Sequence, residues 1–175
     1  MYQKYLIFSL CTLLLSACAG KVNLKESDQK VIADKNYRFA KIEVVVADKA
    51  ISKKTKPGYF KKDDFVKIFT KQFYKAGLID SDSPYTLKIQ ITKLHIRSNL
   101  IAFLSIPESD KLFATVSVYD GSNQVVDRFE VKSTYSLGGT ASGLSTIRTG
   151  FLYRNFGKMT QDLFKGVVEA EEEIQ

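Results

Sequence analysis

Apolar residues in this 175-residue chain change their spacing from every second position to every third or fourth and back again. A chain with both periods must make strands and helices, and the order of the periods limits the fold. Phe39 to Ala47 (FAKIEVVVA) is a β-branched run that reads as a central strand. Phe65, Ile68, Phe69, Gln72, Phe73 and Ala76 share one helical face, which predicts a helix over 61–76. Asp63 and Asp64 suit its positive N-terminal dipole, and Gly77 followed by Leu78 suits its end. Tyr85, Leu87, Ile89 and Ile91 then alternate with polar residues, as on a half-buried strand. The alternation slips at Thr92-Lys93, because Leu94 and Ile96 are even-numbered, and a β-bulge accounts for the slip. Leu112, Ala114, Val116 and Val118 mark a strand over 111–119. Asp120-Gly121-Ser122-Asn123 is a hairpin turn into a returning strand over 124–135. Leu152, Phe156, Met159, Leu163 and Val167 predict a helix over 145–170. Gly150, Gly157 and Gly166 weaken that helix, so packing must hold it.

The order β-α-β-β-β-α is an α+β pattern. It predicts a mainly antiparallel sheet with two helices packed on one face, in a single domain over 37–172. Residues 18–36 are polar, mixed in charge and weakly periodic, and read as a flexible N-terminal tether. Glu169 to Glu173 read as an acidic tail.

Residues 1–17 are laid out differently. Lys4 is the one charge of a short start, Tyr5 to Leu15 is an almost unbroken apolar run, and Ser16 and Ala17 are small. This is the layout of an export signal. The run is shorter than the roughly 20 residues that a membrane-crossing helix needs. Cys18 follows at once. Leu15-Ser16-Ala17-Cys18 resembles the lipobox of bacterial lipoproteins. The resemblance implies that residues 1–17 are removed and that the Cys18 thiol carries a diacylglycerol. Two or more acyl chains, at about 0.8 kcal/mol per buried CH₂, hold a protein on a bilayer without spanning it. Ala19 stands where an Asp commonly marks inner-membrane lipoproteins, which implies the periplasmic face of the outer membrane. A Gram-positive owner is the alternative left open.

The cysteines then close a set of possibilities. The chain has two, Cys11 in the signal and Cys18 at the lipid site. A mature chain without a free thiol makes no disulfide, thiol nucleophile or Cys-ligated metal site. His95 is the single histidine, reads as a strand-face residue, and cannot form a His-rich site. No cofactor or metal is expected. Asp63-Asp64 read as helix-start residues rather than an acid–base pair. GGTASG at 138–143 precedes a helix but lacks the Lys-Ser/Thr of a phosphate loop and the GxGxxG spacing.

Two surface candidates remain. Leu100, Ile101, Phe103, Leu104 and Ile106 crowd into LIAFLSIP, where a hairpin loop belongs. Either the strands extend into this stretch and it packs in the core, or it is an exposed apolar tip that docks on a partner or a membrane. Lys53, Lys54 and Lys56, with Lys49, Lys61 and Lys62 nearby, form a basic stretch that is either a solvated surface or a site for anionic lipid or an acidic partner. The net charge of +7 does not imply nucleic acid once export is accepted.

The element order is similar to the small α/β domains of envelope lipoproteins, such as the LPS-assembly lipoprotein and the N-terminal domain of TolB. That similarity covers about residues 37–170 and has no diagnostic motif, and fold likeness does not assign function. The expectation is a non-catalytic lipoprotein that binds or assembles with envelope proteins. The alternatives are an envelope hydrolase using unrecognised carboxylates, and a structural link to peptidoglycan.

Overall fold

The computed structural model describes residues 18–23, 26–104, 108–136 and 144–167. Residues 1–17, read above as an export signal, Ile106, the GGTASG stretch and the stretch read as an acidic tail lie outside them. The described chain runs β1 (Cys18–Asn23), α1 (Glu26–Asp34), β2 (Lys41–Val46), α2 (Lys62–Lys75), β3 (Thr86–His95), α3 (Asn99–Phe103), β4 (Asp110–Tyr119), β5 (Val125–Tyr135) and α4 (Ser145–Lys165). One five-stranded sheet has the order β1-β5-β4-β3-β2. β2 and β3 are parallel, joined across α2, and the other neighbours are antiparallel. The class is α+β.

Local chemistry sets most of the boundaries. α2 ends in a left-handed Gly77, with the Gly77 amide on the Tyr74 carbonyl and the Leu78 amide on the Phe73 carbonyl, both at 3.0 Å. This closure satisfies two terminal carbonyls and buries Leu78. α4 ends the same way at Gly166 (φ 68°). Gly166 therefore closes the helix rather than weakening it, and Val167 lies beyond the end, exposed. The register between β3 and β4 shifts between Ile91 and Lys93, which keeps Leu87, Ile89, Ile91 and Leu94 all in the core. In the β4–β5 turn, Asp120 Oδ1 accepts from the Ser122 and Gln124 amides at 3.0 and 2.9 Å, and Asn123 takes a positive φ.

Two further expectations fail. β2 is an edge strand, not a central one, and Val45 is exposed on it. The sequence run is apolar because β2 packs against α2 and partners β3, not because both its edges are paired. Residues 18–36 are not a tether along their length. β1 pairs with β5 from Cys18↔Tyr135 to Asn23↔Glu130 and covers an edge that would otherwise present a row of unpaired backbone groups. α1 packs against α4 and buries Ile32. Lys35 Nζ lies 2.8 Å from Asp127 of β5, and the buried Tyr37 hydroxyl donates to the same carboxylate. Segment composition underrates these contacts, because the stabilising partners are about a hundred residues away.

The core lies between the sheet and the two long helices. Phe65, Phe69 and Phe73 of α2 are fully buried. Phe69 stacks on Phe73 at 4.3 Å, and Phe65 meets Tyr153 and Phe156 of α4 at 5.3 and 5.6 Å. Phe164 reaches Phe39 at 4.9 Å and Phe129 at 5.7 Å. Such ring pairs add about 0.5–1.5 kcal/mol each beyond the area they bury. α2 and α4 cross closely at Gly157, where a Cβ would stand 2.1 Å from Gln72 Oε1. Gln72 Nε2 in turn donates to the Arg154 carbonyl at 3.0 Å. Among the described residues no helix is long and apolar enough to cross a membrane.

Candidate functional site

The register gathers one end of the sheet from remote parts of the chain. Cys18 pairs with Tyr135, Tyr135 with Asp110, and Lys111 with His95. The start of β1, the end of β5, the start of β4 and the end of β3 are therefore neighbours. The basic loop joins them: the Ser52 amide bonds the Leu94 carbonyl at 2.8 Å, and Thr55 Oγ1 accepts from the Ile96 amide at 3.0 Å. Lys53, Lys54 and Lys56, which flank Thr55, are exposed.

A buried ionic clamp fixes this end. The Asp110 carboxylate receives the Arg97 amide at 2.7 Å, Arg97 Nε at 3.4 Å and Arg148 Nε at 2.8 Å. Arg97 also donates to the carbonyls of Glu108 and Tyr135, at 2.7 and 3.3 Å. Arg148 donates to the Arg97 carbonyl at 2.7 Å and reaches Asn99 Oδ1 at 3.5 Å. All three charged side chains are buried. Charge removed from water requires this density of partners. The clamp ties β4, β5, α3 and α4 together through backbone carbonyls, the Asp110 carboxylate and the Asn99 side chain.

Sequence reading missed the clamp, although a signal for it exists. Arg148 stands four residues before Leu152, on the apolar stripe of α4. A charge on a core-facing stripe demands a buried counter-charge. Which acid supplies it depends on the fold.

On this clamp sits α3. Its first residues are capped by Ser98, whose hydroxyl accepts from the Ile101 amide at 3.3 Å. Ala102 is buried and Ile101 half-buried, whereas Leu100, Phe103 and Leu104 are 67, 50 and 56 % exposed. The stretch thus divides, with one small residue in the core and three large ones in solvent. The start of α4 adds exposed Leu144, Ile147 and Phe151. The Phe151 ring lies flat on Tyr135 at 5.6 Å, with the Arg154 guanidinium 4.8 Å over it.

His95 Nε2 lies 3.1 Å from Glu108 Oε1, at the end of β3. No cluster of three or more His, Cys, Asp or Glu with metal-binding geometry occurs among the described residues. A cleft of about 140 Å³ between α2 and α4 is lined by Asp64, Lys67, Thr149 and Tyr153 among others. It is smaller than the roughly 300–1,000 Å³ of ordinary ligand sites. Burial pushes the Tyr153 phenol well above its usual range, and Asp64 adds to the shift, so Tyr153 stays protonated at neutral pH. Asp63 and Asp64 occupy the first turn of α2.

No protein-family model matches the chain, and no curated protein matches it. Solved structures similar to it include a PelC dodecamer from Paraburkholderia phytofirmans, at 16 % identity and TM-score 0.43 over 83 % of this chain and 96 % of that one. A minor lipoprotein from Acinetobacter baumannii matches at 10 % identity and TM-score 0.45, over 74 % of this chain and 93 % of that one. A Xanthomonas campestris protein matches at 13 % identity and TM-score 0.42, over 74 % and 85 %.

Proposed function

We propose that this chain is a lipid-anchored lipoprotein of the bacterial cell envelope. It is held by acyl chains on Cys18 at the periplasmic face of the outer membrane, and it acts without catalysis as a binding or assembly component of an envelope complex. The observation that carries this reading is the run from Lys4 through the apolar Tyr5–Leu15 to Leu15-Ser16-Ala17-Cys18. Export, removal of the leader and acylation each need one part of that layout. The described domain supports a binding role in that the buried arginines at the converged end hold the backbone, while large apolar side chains face outward.

Intact-mass analysis of the protein purified from bacterial membranes tests the anchor. The expected mass is that of a chain beginning at Cys18 plus acyl groups, and Cys18→Ser should release the protein from the membrane fraction. A full-length unacylated chain in the cytosol would overturn the reading. Crosslinking in intact cells followed by affinity purification tests the assembly role, with an envelope protein as the expected product. Activity on a cell-wall substrate that vanishes on changing one carboxylate in a folded chain would instead make it an enzyme.

A further inference from the structure

We infer that the converged end of the fold is itself a bilayer-docking surface, seated on an anionic phospholipid leaflet beside the anchor. Leu100, Phe103 and Leu104, with Leu144, Ile147 and Phe151, enter the interface, and Lys53, Lys54 and Lys56 lie at phosphate level. The inference rests on Cys18 carrying lipid, and adds where the domain must sit once it does.

The decisive geometry is the position of Cys18 in the sheet. β1 begins at Cys18, which is paired with Tyr135. Paired antiparallel residues have Cα atoms about 4.5–5.5 Å apart. The Tyr135 ring carries Phe151 stacked on it at 5.6 Å. An acylated Cys18 is thus joined to the sheet with no intervening spacer, only one strand and one ring away from an exposed aromatic on α4. The lipid cannot enter a bilayer while this end of the domain stays far from the headgroups.

What this end presents fits that position. Leu100, Phe103 and Leu104 project from a short helix whose small Ala102 faces the core, the reverse of the usual burial of large apolar residues. Interfacial helices bury such side chains among headgroups and acyl chains. Around them, Lys53, Lys54 and Lys56 are exposed, while Glu108 faces His95 and Asp110 is enclosed by the two arginines. Juxtamembrane lysines are drawn to anionic leaflets. Apolar side chains, cations and the attachment residue therefore share one end. The β4–β5 turn at the opposite end is the polar Asp120-Gly121-Ser122-Asn123, followed by two apolar residues smaller and less exposed than Leu100, Phe103 and Leu104, namely Val125 and Val126, at 41 and 38 %.

The mature acylated chain offers a clean test. Cys11 leaves with the signal and the Cys18 thiol is occupied, so a single introduced cysteine can be labelled. Leu100→Cys and Ser122→Cys would each carry an environment-sensitive dye, in vesicles of phosphatidylethanolamine and phosphatidylglycerol with spin-labelled acyl chains. The expected result is strong quenching at position 100 and little at 122. Quenching at 100 should fall when phosphatidylglycerol is left out or when Lys53, Lys54 and Lys56 are all changed to Glu. Equal, weak quenching at both positions on a protein whose mass confirms acylation would overturn the docking and leave the anchor standing. Crosslinking from position 100 to a second copy, without lipid quenching, would also overturn it. If the mass shows no acyl group, the anchor reading falls and vesicle sedimentation of that chain decides docking alone. Binding weakened about tenfold by Leu100→Ser, the scale of one partly buried apolar side chain, would uphold the surface. Absence of binding would end it.

Discussion

Arg148 Nε donates to Asp110 Oδ2 across 2.8 Å, and neither side chain is exposed to solvent. The same carboxylate takes the Arg97 amide and guanidinium, so a single acid on β4 neutralises charge from the β3–α3 connection and from α4. Its removal leaves two buried guanidiniums facing one another. Asp110→Asn is expected to cost about 3–5 kcal/mol, the range seen when one partner of a buried pair is lost. For a domain of this size that lowers Tm by on the order of 10 °C. Arg148→Met should cost less, because it leaves Arg97 and Asp110 charge-balanced. Thermal melts of both variants check the order. A wild-type melt for Asp110→Asn would show that the clamp does not hold the fold.

The α2–α4 crossing makes an independent prediction. In Gly157→Ala the new methyl collides with Gln72 Oε1, and the Gln72 donation to the Arg154 carbonyl is lost as the side chain moves. The side-chain end can rotate away, so the cost is about the one hydrogen bond, and the better helix propensity of Ala, about 1 kcal/mol, offsets most of it, leaving Gly157→Ala near neutral. Gln72→Ala alone should cost about 1 kcal/mol, one hydrogen bond. The double variant should be more stable than the sum of the two, as coupled neighbours are. Additive losses in chemical denaturation would place the collision elsewhere.

Alkaline pH should destabilise the domain. Burial, then the Asp127 carboxylate, raises the Tyr37 phenol above its ordinary value, and burial does the same to Tyr153. A group whose folded pKa is raised contributes its full stability below the unfolded pKa, near 10 for tyrosine, and loses it as pH rises beyond that point. Denaturation midpoints should therefore be flat in these two groups through neutrality and fall above about pH 10. Tyr37→Phe should make that fall shallower. An unchanged alkaline slope would remove Tyr37 from its cause.

β1 can be tested by breaking its register. Val22 is half-buried opposite Val131, and Val22→Asp places a charge against the core edge. Amide exchange along Val131–Tyr135 should speed up about tenfold for every 1.4 kcal/mol of pairing lost. On the proposed acylation of Cys18, the lipid would then be joined to the domain through a spacer, and lipid quenching at position 100 should decline with it. Unaltered exchange would mean that β5 does not depend on β1 for protection.

Much of this molecule is written locally. The alternation of Tyr85 to Ile91 and its change of parity at Leu94 fix both a strand and its bulge, since side-chain direction reverses with each residue. Gly77 and Leu78 state a helix end and Asp120 to Asn123 a turn, each within a few residues. Other facts could not be read that way. Val22 and Ile32 are too few to announce β1 or α1, because what stabilises them is the open edge of β5 and the flank of α4. Arg148 announces that an acid must exist, but only the β4 register makes it Asp110. Cys18, Leu100, Lys54 and Phe151 are scattered through the sequence, and pairing alone brings them to one end. The physical reason is the range of the forces: backbone preference and capping act over three or four residues, whereas strand pairing and burial join residues whose separation along the chain carries no information about their distance in space.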